Sequence, residues 1–112
     1  MSRIVRKTAT QVYIGRMVKR IVQQFDPDQV ILFGSQARGE AGPDSDVDLL
    51  VVMAVKGSRL EKRLAIRGVL REFLVPMDIL VTTPEDFAWR KDVVGTIEWP
   101  ASREGKVLYA RG

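Results

Sequence analysis

Three aspartates, Asp46, Asp48 and Asp78, occupy positions at which their chemistry conflicts with the apolar sequence around them. Asp46 and Asp48 are two residues apart at the start of an apolar run, so on a strand both side chains would point to one face. Asp78 interrupts another apolar run, although aspartate is poorly suited to strands and is seldom buried. Desolvation and mutual repulsion disfavour three such carboxylates together. A divalent cation would resolve the conflict, and oxygen ligands alone suit Mg²⁺ or Mn²⁺.

Each aspartate also has a simpler interpretation. Asp46 and Asp48 can be solvated residues at the start of a strand, and Asp78 can pair with one of the many arginines. The joint occurrence favours the metal hypothesis, because two acids on one face and a third on another apolar strand are what a two-metal site requires.

The composition of the 112-residue chain narrows the chemistry further, because it contains no histidine and no cysteine. This excludes a Ser-His-Asp triad, an imidazole base, a thiol nucleophile, a disulfide and a standard zinc site. Eighteen basic and fourteen acidic residues give a net charge of +4. That excess would help to attract a polyphosphate or RNA but does not identify a nucleic-acid-binding protein.

Gly34 and Ser35 close the first predicted strand and lead into a short helical or turn segment. Glycine permits close approach of the backbone, and a serine hydroxyl with neighbouring N–H groups can bind phosphate oxygens. Arg38 follows shortly after and can add a second phosphate contact. Taken alone, the Gly-Ser pair is typical of a simple turn, and Arg38 can be a solvated charge.

The length of the chain predicts one domain over residues 1–112. The order of the elements that the hydrophobic periodicity predicts indicates an α/β (α+β) fold with a small mixed sheet of three or four strands flanked by helices. The predicted elements are a helix over 8–25, strands over 29–33, 46–53 and 76–81, a helix over 59–74 capped by Ser58, short helices from Pro84 and after Pro100, and an extended piece over 106–109. Leu60, Leu64, Leu70 and Phe73 are expected on the apolar side of the second long helix. Trp89, Trp99 and Tyr109 are expected at the edge of the core, with a partner-facing or base-stacking patch as the alternative.

The spacing of these residues resembles the signature of the nucleotidyltransferase superfamily that includes DNA polymerase β. Gly34-Ser35 is followed after ten residues by Asp46-Val47-Asp48. Residues 34–39 (Gly-Ser-Gln-Ala-Arg-Gly) and 45–49 (Ser-Asp-Val-Asp-Leu) together are similar to the minimal nucleotidyltransferase (MNT) family, and Asp78 sits where that family places its third carboxylate. Residues 103–109 (Arg-Glu-Gly-Lys-Val-Leu-Tyr) are similar to the usual C-terminus of the family. The resemblance covers nearly the whole chain and implies a polymerase β-like nucleotidyltransferase fold.

The resemblance implies a role for each motif residue. Asp46, Asp48 and Asp78 would be the catalytic and metal-binding residues for two Mg²⁺ ions, with Mn²⁺ as an alternative. Asp78 would also accept the proton of the attacking hydroxyl. The implied nucleotide-binding residues are Gly34, Ser35 and Arg38. The implied reaction is an in-line displacement at the α-phosphorus of ATP or another nucleoside triphosphate, with release of pyrophosphate.

The resemblance also implies a partner, because MNT proteins are typically found with an all-helical HEPN protein, often an RNase toxin, and act as its antitoxin. We therefore expect transfer of AMP to a tyrosine hydroxyl of a HEPN toxin and a hetero-oligomer with it. Two alternatives stay open: neutralisation of the partner by contact alone, and nucleotide transfer to RNA 3′ ends. The lack of a signal-peptide pattern and of a long apolar run predicts a cytoplasmic protein without a membrane segment.

Overall fold

The computed structural model describes residues 9–40 and 45–112, in which helices and strands alternate along the chain. The elements are α1 (Ala9–Phe25), β1 (Gln29–Phe33), α2 (Gly34–Arg38), β2 (Val47–Val52), α3 (Arg59–Val69), β3 (Met77–Thr82), α4 (Pro84–Arg90), α5 (Glu98–Glu104) and β4 (Lys106–Ala110). The prediction of a mixed α/β fold is confirmed, and the extended C-terminal piece is the fourth strand of the sheet.

The four strands form one mixed sheet in the order β3-β2-β1-β4. β1 runs antiparallel to both β2 and β4, whereas β2 and β3 are parallel. A parallel pair needs a crossover connection, and α3 provides it between β2 and β3. This topology places the starts of β2 and β3 side by side at the end of the sheet where β1 finishes.

Apolar residues cover both faces of the sheet, which explains why the strands are nearly continuous apolar runs. On one face, Leu49 and Val51 pack with α1 and α3 in the larger hydrophobic cluster. On the other face, Leu50 and Val52 pack with Ala101 of α5, and Phe87 of α4 lies against the same cluster. The alternation along β2 therefore divides the helices into two layers.

The predicted Ser58 cap is present, and Thr83 is a further cap that was not predicted. The Ser58 hydroxyl accepts a hydrogen bond from the Glu61 N–H over 3.3 Å at the start of α3. Thr83 does the same for Asp86 at the start of α4, where Pro84 is at the first helical position. Capping side chains of this kind satisfy backbone donors that have no partner within the helix. The sequence offers Thr8 or Thr10 as the cap of α1. Thr8 lies outside the described residues, and Thr10 lies within the helix.

Several predicted boundaries and burials are wrong in detail. α3 ends at Val69 rather than at residue 74, because the Leu70 N–H bonds the Arg67 carbonyl in a tighter turn. Leu60 and Leu64 are more than half exposed. The predictions for Leu70 and Phe73 are confirmed, because Leu70 is fully buried and Phe73 packs partly buried against the larger cluster. Ile66 is the buried residue within α3, on a different side of the helix from Leu60 and Leu64.

The aromatic residues differ in their surroundings. Trp89 is 56 % exposed, so its predicted position at the edge of the core is wrong. Trp99 is partly buried, and Tyr109 packs partly buried against the larger cluster, as predicted. α5 begins at Glu98, three residues before the predicted start after Pro100, and Pro100 lies in its first turn. Across the described residues, no helix has both the length and the hydrophobicity that a membrane span requires.

Candidate active site

The three aspartates singled out by the sequence lie at one end of the sheet. Asp48 and Asp78 are directly opposite each other in the parallel register of β2 and β3, so their side chains share a face. Asp46 precedes β2 by one residue, whereas the sequence had placed it within the strand. The adjacent strand β1 ends here as well, with Phe33 opposite Asp48.

Asp48 is the aspartate most affected by the others. Its side chain is partly buried, and this burial raises the pKa of the carboxyl above its ordinary value. The charges of Asp78 and Asp46 raise the Asp48 pKa further, and Arg38 partly offsets them. The fold therefore holds negative charges close enough to repel one another, which a bound cation would relieve.

Gly34 brings the end of β1 against Asp48. The residue has a φ of +72°, a conformation that glycine adopts without strain. A Cβ at this position would overlap Asp48 Oδ2, so a larger residue would displace the carboxylate. Ser35 follows in the first turn of α2 and is only partly buried, which leaves it accessible at the same end of the sheet.

Arg38 lies in the last turn of α2 and is held by two carboxylates. Its Nε donates to Glu40 over 3.2 Å, and its Nη1 donates to Glu104 of α5 over 3.3 Å. These hydrogen bonds raise the pKa of Arg38. Gln36 also donates to the Ser45 carbonyl over 3.3 Å, tying α2 to the segment that precedes Asp46.

Asp78 is paired with an arginine, the alternative that the sequence had left open. Arg63 Nη2 on α3 donates to Asp78 Oδ1 over 3.2 Å. Within the described residues, no three acidic side chains are grouped closely enough to hold a metal ion. The donor types, their shared face and their mutual repulsion fit a hard divalent cation, but Asp78 is engaged elsewhere.

Sequence reasoning missed Glu104, Gln36 and Arg63 as residues that shape the site. Glu104 lies in the C-terminal segment that is similar to the family's usual ending, which was its available signal. Gln36 lies within the motif over residues 34–39, whereas Arg63 carries no such signal. The contacts of these two residues join positions nine and fifteen residues apart along the chain. Only the folded arrangement identifies them.

Comparisons with known proteins identify the family of this chain. The sequence profile of the nucleotidyltransferase domain family matches residues 15–101, a span that contains all six motif residues. No curated protein matches the sequence. Among solved structures, a candidate nucleotidyltransferase from Sulfolobus solfataricus is 24 % identical with a TM-score of 0.61, over 89 % of this chain and 79 % of that one.

Two further structures are similar. A toxin–antitoxin crystal structure with AMP-PNP is 16 % identical with a TM-score of 0.60, over 87 % of this chain and 73 % of that one. A candidate minimal nucleotidyltransferase is 28 % identical with a TM-score of 0.53, over 87 % of this chain and 91 % of that one. The resemblance to minimal nucleotidyltransferases noted in the motif is thereby confirmed. With a family profile that spans most of its length and the motif residues inside that span, the chain belongs to the nucleotidyltransferase domain family.

Proposed function

We propose that this protein is a Mg²⁺-dependent nucleotidyltransferase that transfers AMP from ATP to a tyrosine hydroxyl of a HEPN toxin, acting as its antitoxin in the cytoplasm. The observation that carries the proposal is the placement of Asp48 opposite Asp78, with Asp46 close enough to affect the Asp48 pKa. Gly34 lies against the carboxylate of Asp48 and has no side chain that would obstruct a nucleotide phosphate.

In this proposal Asp46, Asp48 and Asp78 hold two Mg²⁺ ions, and Mn²⁺ suits the same oxygen ligands. When bound, the metal supplies charge neutralisation at the attacking and leaving oxygens of an in-line displacement. The donor set supports this assignment, because three carboxylates without histidine or cysteine favour hard cations.

Residues of α2 bind the triphosphate in this proposal. Gly34 leaves room for a phosphate to approach the backbone, and the Ser35 hydroxyl donates a hydrogen bond to a phosphate oxygen. Arg38 has five N–H donors in one plane. Its Nε and Nη1 are used by Glu40 and Glu104, and its Nη2 makes no hydrogen bond to the described residues. That nitrogen is available for a second phosphate contact.

Asp78 accepts the proton of the attacking hydroxyl. The tyrosine oxygen forms a bond to the α-phosphorus, the bond from that phosphorus to the bridging oxygen breaks, and pyrophosphate leaves. Asp78 has to exchange its present contact with Arg63 before its carboxylate can take part. Positioning of the hydroxyl in line with the leaving group accounts for much of the rate enhancement in reactions of this kind.

The choice of ATP and of a toxin as partner has two supports. One is the resemblance of the motif and of residues 103–109 to MNT antitoxins. The other is the fold likeness to a toxin–antitoxin structure that contains AMP-PNP, an analogue of ATP. A contact antitoxin is the second candidate, because Asp78 is paired with Arg63 and no three-carboxylate group exists in the described part of the chain.

The test uses the purified protein with Mg²⁺, ATP labelled at the α-phosphorus, a HEPN protein encoded beside it, and an RNA oligonucleotide in a parallel reaction. We expect Mg²⁺-dependent label on the HEPN protein, lost when its acceptor tyrosine is replaced by phenylalanine. The label should also be lost with Asp48→Asn, and Asp92→Asn is the matched control for that variant, because Asp92 is an exposed aspartate outside the site. Binding without label on either acceptor would support the contact antitoxin, and label on RNA alone would reassign the substrate.

A further inference from the structure

Arg63 connects α3 to the carboxylate face of the sheet. α3 packs with α1 against the opposite face, and β3 is the edge strand beside it. The Arg63 side chain therefore reaches around this edge to bond Asp78 on the other face. The Arg63 and Asp78 side chains are 37 % and 44 % exposed, so water and ions can reach the pair.

This contact accounts for a discrepancy in the site. The parallel register puts Asp78 opposite Asp48, where the proposed two-metal site takes its third ligand. Yet the described residues contain no group of three acidic side chains able to hold a metal ion. Asp78 directs Oδ1 to Arg63, so one of its two carboxylate oxygens is already engaged by a side chain of α3.

The arginines of α3 form a row in which Arg63 is distinctive. Arg59, Arg63 and Arg67 are spaced four residues apart and share one side of the helix. Arg59 pairs with Asp86 of α4, away from the carboxylate end of the sheet. Arg67 is exposed and makes no ion pair with the described residues. Arg63 alone among the three bonds a residue of the proposed metal site.

We propose that Arg63 is a positioning residue that holds Asp78 in the metal-free protein and has to release it before the metal site is complete. This inference rests on the proposed function, because it assigns Asp78 to metal binding. Arg63 and a divalent cation then compete for one carboxylate. An exposed ion pair is weak enough to be displaced by a cation that gains several oxygen ligands at once.

Titration of the nucleotide-free protein with Mn²⁺, followed by the electron paramagnetic resonance of free Mn²⁺, tests the competition without any turnover. We expect Arg63→Gln to bind Mn²⁺ about two- to five-fold more tightly than the wild type, a range set by the strength of a partly exposed ion pair. Arg67→Gln is the matched control, because it removes the same charge one turn further along α3. Its Mn²⁺ affinity should equal that of the wild type, since physiological salt screens exposed charges that make no direct contact.

Two further variants identify the cause of any change. In an Asp78→Asn background, Arg63→Gln should leave the Mn²⁺ affinity unchanged, because the double-mutant cycle removes the residue for which Arg63 competes. Arg63→Lys, which keeps the charge, should give an affinity close to that of the wild type. Thermal unfolding of each variant confirms that the compared proteins are folded.

The outcomes separate the inference from the function on which it rests. If Asp48→Asn weakens Mn²⁺ binding while Arg63→Gln matches the wild type, the role of Arg63 is overturned and the metal site stands. If Arg63→Gln and Arg67→Gln increase the Mn²⁺ affinity equally, the role of Arg63 is also overturned, because the loss of any positive charge on α3 would then have the same effect. If the wild type binds no Mn²⁺ with or without ATP, the proposed function fails and the inference fails with it.

Discussion

The two faces of the sheet differ in how completely helices cover them. On one face, α1 and α3, with 17 and 11 residues, enclose the larger core. On the other face, α4 and α5 have seven residues each, and among the described residues the smaller cluster does not extend to Asp48 and Asp78 at the starts of β2 and β3. A seven-residue helix is only about 10 Å long. The carboxylates lie at this end of the second face, where the side chain of Asp78 is 44 % exposed.

A single strand, β2, serves both faces. Leu49 and Val51 are fully buried on the face that α1 and α3 cover, which we call the closed face. On the other side of the strand, Asp48 is partly exposed, whereas Leu50, two residues later, is buried. Alternation of side chains makes this possible, because a strand can contribute to a core on one side while presenting polar groups on the other. Burial of apolar side chains on the closed face therefore stabilises the fold, whereas repulsion between the carboxylates on the other face destabilises it.

Replacement of Leu49 by alanine should show the largest effect on stability. Leu49 has no exposed surface on the closed face, so Leu49→Ala should lower the free energy of unfolding by about 2–5 kcal/mol. The rate of nucleotide transfer per folded molecule should be little changed. Urea denaturation measures the loss, and Leu74→Ala is the matched control. Leu74 is 93 % exposed, so its replacement should change the stability by less than about 0.5 kcal/mol.

Replacement of Asp48 by asparagine should separate activity from stability. Mutation of a residue that only hydrogen-bonds a metal ligand lowers activity by up to about 100-fold. Loss of Asp48, a metal ligand itself in the proposed function, should therefore reduce nucleotide transfer at least about 100-fold. The free energy of unfolding of the metal-free protein should rise at neutral pH, because burial and like charges raise the pKa of Asp48. Normal turnover by Asp48→Asn would remove Asp48 from the metal site.

The pH dependence of that gain in stability follows from the direction of the pKa shift. A carboxyl with a raised pKa in the folded state destabilises the fold when it is ionised. The stability advantage of Asp48→Asn should therefore be full above the folded pKa, shrink as the pH falls through it, and disappear below the unfolded value of 3.8. Urea denaturation of both proteins with a chelator, from neutral to acidic pH, measures it. An advantage that grows on acidification would contradict the assigned cause.

Replacement of Gly34 by alanine should test the close contact between β1 and Asp48. Gly34 and Gly39 both have a φ near +72°, but only a Cβ at Gly34 would overlap a carboxylate. Both variants should lose about 1–3 kcal/mol of stability through backbone strain. Only Gly34→Ala should also reduce Mn²⁺ affinity and transfer. Equal activity of the two variants would show that the contact with Asp48 is unimportant.

Replacement of Ser35 by alanine should have the smallest effect. A single hydrogen bond to a charged group contributes about 1.5–3 kcal/mol at most, and an accessible one less. We therefore expect ATP binding to weaken only a few-fold, with kcat reduced less than the affinity. Calorimetric titration with AMP-PNP and Mg²⁺ measures this. Ser102→Ala on α5 is the control, because that hydroxyl bonds only carbonyls of its own region.

Much of the fold follows from local rules in the sequence. The strand over Gln29–Phe33 is predicted with its observed bounds, because a β-branched apolar run closed by Gly-Ser has few alternatives. Ser58 marks the start of α3 through capping chemistry, and Pro84 marks the start of α4. The burial of Leu60 and Leu64 is predicted wrongly, because periodicity alone does not show which side of a helix faces the sheet.

The sequence by itself determined the chemistry that is available to this protein: no imidazole and no thiol, three carboxylates on two apolar runs, and the Gly-Ser to Asp-x-Asp spacing of its family. Two of the carboxylates are thirty residues apart, and only the parallel pairing of β2 and β3 places Asp48 opposite Asp78. The tertiary structure also decided that Arg63 bonds Asp78 and that Glu104 bonds Arg38. Side-chain pairing across strands and helices depends on register and packing, which local sequence patterns do not encode.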